Sequence, residues 1–249
     1  TAKNLIEEVN LSGGIITQKD LDLYKAQWRQ PIKFNYKDYQ IISMGPPSSG
    51  GVALAQILGM IEPYNLDSLK FQGSEHIHLM VEAERRAYSD RAKYLGDADF
   101  YPVPIDSLID EPYLHSRLKL GDLKNDATPS ADVEHDNFVI NKESMETTHF
   151  SIVDSMGLAV SITTTLNANF GSKLYTQKSG FFLNNEMDDF SAKPGVPNMY
   201  GLVGGEANAI YPQKRMLSSM TPTIITKNNK LYMVLGTPGG STIITSVAQ

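Results

Sequence analysis

The chain contains no cysteine, which rules out disulfides, thiolate-bound zinc and a cysteine nucleophile while leaving both reducing and oxidising compartments open. No apolar run approaches the roughly 20 residues that span a bilayer. The opening TAKNLIEEVN is interrupted by charge and has no leader-peptide core. No Lys/Arg cluster stands anywhere, and the net charge is -6 at pH 7, so a nucleic-acid partner or an anionic membrane surface is not expected. The histidines offer no ligand spacing: His76 and His78 are two apart and do not share a helix face. Neither a metal nor a cofactor is expected, and no solenoid-period repeat is present.

What the chain does have is enough apolar residue, 41% of 249, to bury a substantial core in one large domain or two small ones. Tyr39 to Met44 reads as a strand, GPPSSGG as a turn and VALAQILGMIE as a helix. A second helix is predicted from an N-cap at Ser74 to about Gly96, with Ile77, Met80, Val81, Ala87 and Tyr88 on its apolar stripe. Glu84 interrupts that stripe, either paired in the core or at its edge, while Glu82 and Arg86 fall on a face that reads as solvated. Leu120 to Glu146 turns polar and reads as a surface segment. Strand signals dominate beyond it, up to GTPGGST and the start of a closing helix, so helices precede strands. Both ends read as cuts through structural elements, as in a fragment of a longer chain.

METTHFSIVDSMGLAVSITTTLN, residues 145–167, carries an unusual load of hydroxyls. Ser155-Met156-Gly157 suits a three-residue hairpin loop with Gly157 left-handed, pairing Asp154 with Leu158. That register places Ser151 opposite Ser161, His149 opposite Thr163 and Thr147 opposite Thr165, all on one face, which continues to Asn167. Phe150, Ile152, Leu158, Val160, Ile162 and Leu166 share the other face, which is expected to lie against a core layer. An ordinary half-solvated sheet would also show one polar face.

TTHFSIVD, TTTLN, LNNEMDDFSAKPGVPNMYGLVGG, KRMLSSMTPT and GTPGGS, in this order and together with GPPSSGG and EAERRAYSDRAKYLGD, resemble the γ-glutamyltranspeptidase (γ-glutamyltransferase) family of N-terminal-nucleophile hydrolases. The resemblance covers most of the chain. It implies an α+β fold, a four-layer αββα sandwich, and a precursor that cuts itself between Glu146 and Thr147. Residues 1–146 would then be the C-terminal part of a large subunit and 147–249 the N-terminal part of a small one. It further implies a periplasmic or secreted location if the source is bacterial, with any signal upstream of Thr1.

Thr147 becomes, on this resemblance, the N-terminal nucleophile. A threonine hydroxyl needs a base, and an α-amine of pKa roughly 7.7–8.0 suits that task near neutral pH. Thr165 would orient the nucleophile, with Thr163 and Asn167 extending the polar face. Gly239 and Gly240, before a helix, would aim N–H groups at an oxyanion, although a plain turn has the same composition. Glu186 and Asp189 resemble a pair that holds a substrate α-ammonium, Ser218 and Ser219 the serines that bind its α-carboxylate. Read without the resemblance, these are an acidic loop and a serine-rich one. Pro194 to Gly205 resembles a lid in which Tyr200 bonds Asn167. A carboxylate-gripping arginine would lie upstream of Thr1, so the 249 residues alone are expected to be inactive. The implied partners are a γ-glutamyl substrate such as glutathione and an amino-acid or peptide acceptor. Cephalosporin-acylase and poly-γ-glutamate-processing activities use the same scaffold, and an inactive ligand-binding or assembly module is the reading from another class.

Overall fold

The computed structural model describes residues 1–119, 126–133, 147–193, 195–199 and 201–249. Two short helices, α1 (Ala2–Leu11) and α2 (Gln18–Leu23), come first. The second is closed by a capping box in which Thr17 and Asp20 exchange side-chain and backbone bonds. Strands β1 (Ile32–Tyr36) and β2 (Tyr39–Ser43) form a hairpin, and the GPPSSGG turn leads into α3 (Gly50–Ile61), then α4 (Ser74–Tyr94). Small helices α5 (Ile105–Leu108) and α6 (Glu111–Arg117) follow. The second half holds the hairpin β3 (Thr147–Val153) and β4 (Ala159–Thr165), a minor ribbon β5 (Tyr175–Thr176) and β6 (Phe181–Phe182), then β7 (Thr223–Lys227), β8 (Lys230–Leu235) and α7 (Ile243–Ala248).

The main sheet runs β1-β2-β7-β8, so strands from both sides of Thr147 share one ladder. Ile41 pairs with Phe34 on one side and Ile225 on the other, and these residues meet a core built from α3, α4, α6 and α7 through Leu54, Ile57, Leu79, Ala83, Leu114 and Ile244. Helix α3 is buried along all but one of its positions, from Gly50 to Ile61, because it lies sandwiched between the sheet and the other helices. This explains why its apolar residues are not confined to one stripe. The β3–β4 hairpin stacks on the other side of the sheet. There, the Ser161 hydroxyl donates to the Leu235 carbonyl at 2.9 Å and accepts the Thr223 N–H at 3.1 Å. The layers are therefore helices, sheet, hairpin, in keeping with the αββα plan.

Helix α4 differs from its sequence reading in rotation. Gly73, not Ser74, is the N-cap, and Ile77 and Val81 are exposed, 51% and 42%, while Leu79, Met80, Ala83 and Ala87 face the core. The Glu82 and Arg86 face is not solvated: the two are 1% and 5% exposed. Arg86 Nη1 meets Glu82 Oε2 at 2.5 Å, and Arg85 Nη1 meets Oε1 at 2.7 Å. Burial pushes the Glu82 carboxyl up, but the hydrogen bonds from Arg86 and Thr128 and the two arginine charges outweigh it and leave it lowered. One turn on, Asp90 accepts from Gln56 Nε2 and Tyr113 OH, each at 2.8 Å, and pairs with Arg117 at 3.1 Å. Complementary charge lets α4 bury a polar face that its composition assigns to water.

The hairpin register is as the loop arithmetic requires: Thr147 opposes Thr165, His149 opposes Thr163 and Ser151 opposes Ser161. Gly157 has φ +88°, and the Asp154 N–H donates to the Leu158 carbonyl at 3.0 Å. The roles of the two faces are reversed from expectation. The polar face turns toward the sheet, whereas Phe150, Ile152, Leu158, Val160, Ile162 and Leu166 are all exposed, with no core layer over them among the described residues. Ser130–Val133 is a 3₁₀ turn that buries Val133; residues 120–125 and 134–146 of the polar segment lie outside the described residues.

Candidate active site

Thr147 opens β3, so its side chain stands at the end of the ladder, opposite Thr165. Its hydroxyl donates to that of Thr165 at 3.4 Å, and both threonines line a cavity of about 270 Å³ together with Thr148, Thr164, Leu166, Ala168 and Phe170. Thr165 Oγ1 also accepts the backbone N–H of Asn167 at 2.8 Å. Asn167 has φ +75°, a left-handed turn that asparagine tolerates better than most residues, and this turns its amide inward to donate to the Asn185 carbonyl at 3.3 Å. Thr163 bonds His149 Nδ1 at 2.9 Å. The imidazole lies over Gly236, where any side chain would collide with it, and burial lowers its pKa.

Glu186 and Asp189 share a 3₁₀ turn. Burial pushes Asp189 up to about 7; the Glu186 and Asp188 charges add to this, while the Arg91 charge and a hydrogen bond from Asn167 oppose it. Burial also raises Glu186. Thr147, Thr165, Asn167 and Asp189 thus form one connected series, running from a strand-end hydroxyl to a carboxyl poised near neutrality.

Ser218 and Ser219 come on the segment before β7, and the GPPSSGG turn clamps them. Ser49 Oγ donates to the Ser218 carbonyl at 2.7 Å, Ser48 Oγ donates to the Met220 carbonyl at 2.7 Å, and the Ser218 N–H reaches Pro47 O at 2.9 Å. Ser218 Oγ accepts the Met220 N–H within the turn, at 3.1 Å. Ser219 Oγ accepts from Arg91 Nη2 at 3.1 Å. Sequence reasoning missed Arg91. A signal existed: Arg86, Asp90 and Arg91 recur at helical spacing with Ala83 and Ala87, and charge on an apolar stripe marks a buried network.

Gly239 and Gly240 have φ +142° and +54° and lead through a 3₁₀ turn into α7. Only glycine adopts the first of these without strain. Their loop starts beside His149, but no hydrogen bond joins either glycine to Thr147 among the described residues. Glu146, at the expected cut, and Tyr200, at the expected lid contact, lie outside the described residues, as does Pro194. Among the neighbouring described residues, the Asn198 N–H bonds Leu202 O at 3.0 Å, and the Met199 N–H reaches Asp188 Oδ2 at 2.9 Å. A larger groove of about 570 Å³ lies elsewhere, between Trp28 and Arg29 on one side and Pro222 and Ile224 on the other. It holds none of these residues, and the Ser161 hydroxyl on its wall is already committed to Leu235 and Thr223. The smaller cavity, by contrast, has Thr147 and Thr165 on its wall.

Comparison with known proteins identifies the family of the chain. The family described as Gamma-glutamyltranspeptidase matches residues 1–249. The chain is 48% identical over 248 residues to a glutathione hydrolase proenzyme of Escherichia coli (strain K12), covering 100% of this chain and 42% of that protein. It is 36% identical over 245 residues to an acylase ACY 1 proenzyme of Pseudomonas sp. (strain V22), covering 98% of this chain and 41% of the relative. Among solved structures, cephalosporin acylase from Bacillus halodurans superposes with a TM-score of 0.76 at 22% identity, covering 100% of this chain and 41% of the other, a likeness of fold. The chain spans about two-fifths of the length of these relatives, and it belongs to the gamma-glutamyltranspeptidase family.

Proposed function

We propose that this chain is the central part of a precursor that cuts itself before Thr147 and then transfers γ-glutamyl groups from glutathione or a related amide to water or to an amino acid or peptide. The observation that carries this reading is Thr147 itself: a threonine on the first residue of a strand, its hydroxyl directed at Thr165, joined through Asn167 to Asp189. In the first reaction the Thr147 hydroxyl attacks the Glu146 carbonyl, the acyl group shifts from nitrogen to oxygen with release of the Thr147 α-amine, and water hydrolyses the ester to free the Thr147 hydroxyl and the Glu146 carboxylate. In the second, that amine takes the hydroxyl proton as Oγ1 attacks the γ-carbonyl, and it returns the proton to the departing amine. Water or an acceptor amine then attacks the acyl-threonine and regenerates the hydroxyl. Backbone N–H groups of Gly239 and Gly240 stabilise the oxyanion. Asp189, with Glu186 beside it, takes the substrate α-ammonium, and Ser218 and Ser219 take the α-carboxylate. The acidic pair favours an α-amino substrate over the acyl groups of the acylase relatives.

The test is to express the full-length precursor with and without Thr147→Ala. Two subunits are expected from the wild type, with Thr147 as a new N-terminus, together with hydrolysis of γ-glutamyl-p-nitroanilide; Thr147→Ala should stay one chain and be inert. A cut at another residue, or preference for a glutaryl amide lacking the α-amine, would overturn the reading. The 249 residues by themselves are expected to show no turnover.

A further inference from the structure

Arg91 is a cation that no motif assigned. It lies near the end of α4, 4% exposed, and an uncompensated guanidinium at such a site is costly. Its Nε donates to Ser49 Oγ at 2.9 Å and its Nη2 to Ser219 Oγ at 3.1 Å. Burial lowers its pKa, and Tyr88 and then the Asp189 charge oppose that. The interaction with Asp189 is one of charge, since no ion pair joins the two among the described residues. The groups that act on Asp189 are Arg91 from α4, Glu186 and Asp188 from its own turn, and Asn167 from the end of β4.

The serines show what Arg91 does to a hydroxyl. Ser49 Oγ accepts from Arg91 and donates its own hydrogen bond to the Ser218 carbonyl at 2.7 Å. Ser219 Oγ accepts from the same guanidinium, yet among the described residues its proton has no acceptor. A hydroxyl with a lone pair occupied by a cationic donor is left to act as a donor. Its natural acceptor is an anionic oxygen arriving from outside, a carboxylate. We propose that Arg91 is a positioning residue for substrate recognition: its two arms lock Ser49 and Ser219, turn the Ser219 proton toward a substrate carboxylate, and set a counter-charge behind Asp189. One buried side chain thereby fixes both serines, while its charge acts on Asp189. This deepens the γ-glutamyl reading and rests on it.

The experiment uses the full-length precursor as wild type, Arg91→Gln, Arg91→Lys, Ser219→Ala and the Arg91→Gln/Ser219→Ala double variant, each checked for subunit formation and thermal midpoint. Kinetics on γ-glutamyl-p-nitroanilide and glutaryl-p-nitroanilide are followed from pH 5.5 to 9. Arg91→Gln is expected to raise KM for the γ-glutamyl substrate about tenfold or more with a smaller change in kcat. It should also move the acid limb of kcat/KM to higher pH for that substrate but not for the glutaryl one. Arg91→Lys, which keeps the charge but cannot bridge two serines, should restore the limb and leave KM raised. Ser219→Ala added to Arg91→Gln should cost little more than Arg91→Gln alone. A cleaved Arg91→Gln enzyme with wild-type KM and pH limb overturns the proposal. If Arg91→Gln does not fold, Arg91→Lys with wild-type KM overturns it and a raised KM supports it. If the wild type does not turn over γ-glutamyl substrates, the functional reading fails. Arg91 is then judged by NMR titration of the Asp189 carboxyl carbon in wild type and Arg91→Lys or Arg91→Gln: an upward move in Arg91→Gln alone supports the counter-charge, and identical midpoints in all three refute it.

Discussion

The backbone N–H of Asn167 donates to Oγ1 of Thr165 at 2.8 Å, so the threonine opposite Thr147 is fixed by the residue that also bonds Asp189. With that lone pair of Thr165 occupied, its hydroxyl is held beside Thr147, and the turn at Asn167 links Thr147 and Thr165 to Asp189.

Thr165→Val should therefore damage both reactions of the precursor. The methyl group keeps the β-branched shape but removes the acceptor for Asn167 N–H and for the Thr147 hydroxyl. Self-cleavage and kcat are each expected to fall by about tenfold or more, read by intact mass over time and by steady-state kinetics. Thr165→Ser should retain most of both.

Asp189 should impose a pH dependence on recognition. Burial holds its carboxyl at about 7, so the carboxylate that binds an ammonium grows as pH rises through 7. KM for a γ-glutamyl substrate is expected to fall between pH 6 and 8. Asp189→Asn should abolish this trend and raise KM, at a cost of about 1.5–3 kcal/mol for a lost charge-assisted bond. The glutaryl amide provides the control, since it has no ammonium to lose.

Glu84 should weaken the fold at high pH. Its Oε1 has no hydrogen-bond partner among the described residues, and burial pushes its carboxyl up to about 7 against a hydrogen bond from Gln249. A carboxyl raised above its unfolded value binds its proton more tightly in the folded state. Stability is thus full below the unfolded value and is lost as pH rises toward 7. Glu84→Gln in this chain should leave the thermal midpoint unchanged at pH 4 and raise it at pH 8. Discounted for partial solvent access, the gain is about 1–2 kcal/mol.

Gly50→Ala should loosen the serine pair from a distance. A Cβ there would sit 2.6 Å from both the Met220 carbonyl and Thr221 Oγ1, and Gly50 starts a buried helix that cannot retreat. Loss of stability by about 1–3 kcal/mol is expected, with KM raised as Ser219 shifts. Urea denaturation and kinetics on the same preparation read the two effects.

Local rules governed what could be read along the chain. A three-residue loop with a left-handed glycine dictates the pairing of β3 with β4, so Thr147 opposite Thr165 follows from counting residues. The Gly-rich turn before a helix is legible at Gly239 and Gly240 for the same reason: φ of +142° and +54° admits few residues. Strand β1 and the pairing of β2 with β7 were not legible, because ladder partners far apart in sequence leave no local mark.

Tertiary structure alone decided the rest. Which face of α4 is buried depended on partners from other elements: Glu82 is paired within the helix by Arg85 and Arg86, but Asp90 is met by Arg117 and Tyr113 of α6 and Gln56 of α3, and such partners leave no periodicity in sequence. Which face of the β3–β4 hairpin turns inward was settled by the ends of β7 and β8, which offer Ser161 a carbonyl and an N–H. Sequence identified the residue types and hairpin register at the site. Only the packing of α4 against the Ser218-Ser219 segment placed Arg91 behind them, because a buried charge is tolerated where the fold, not the local sequence, supplies its partners.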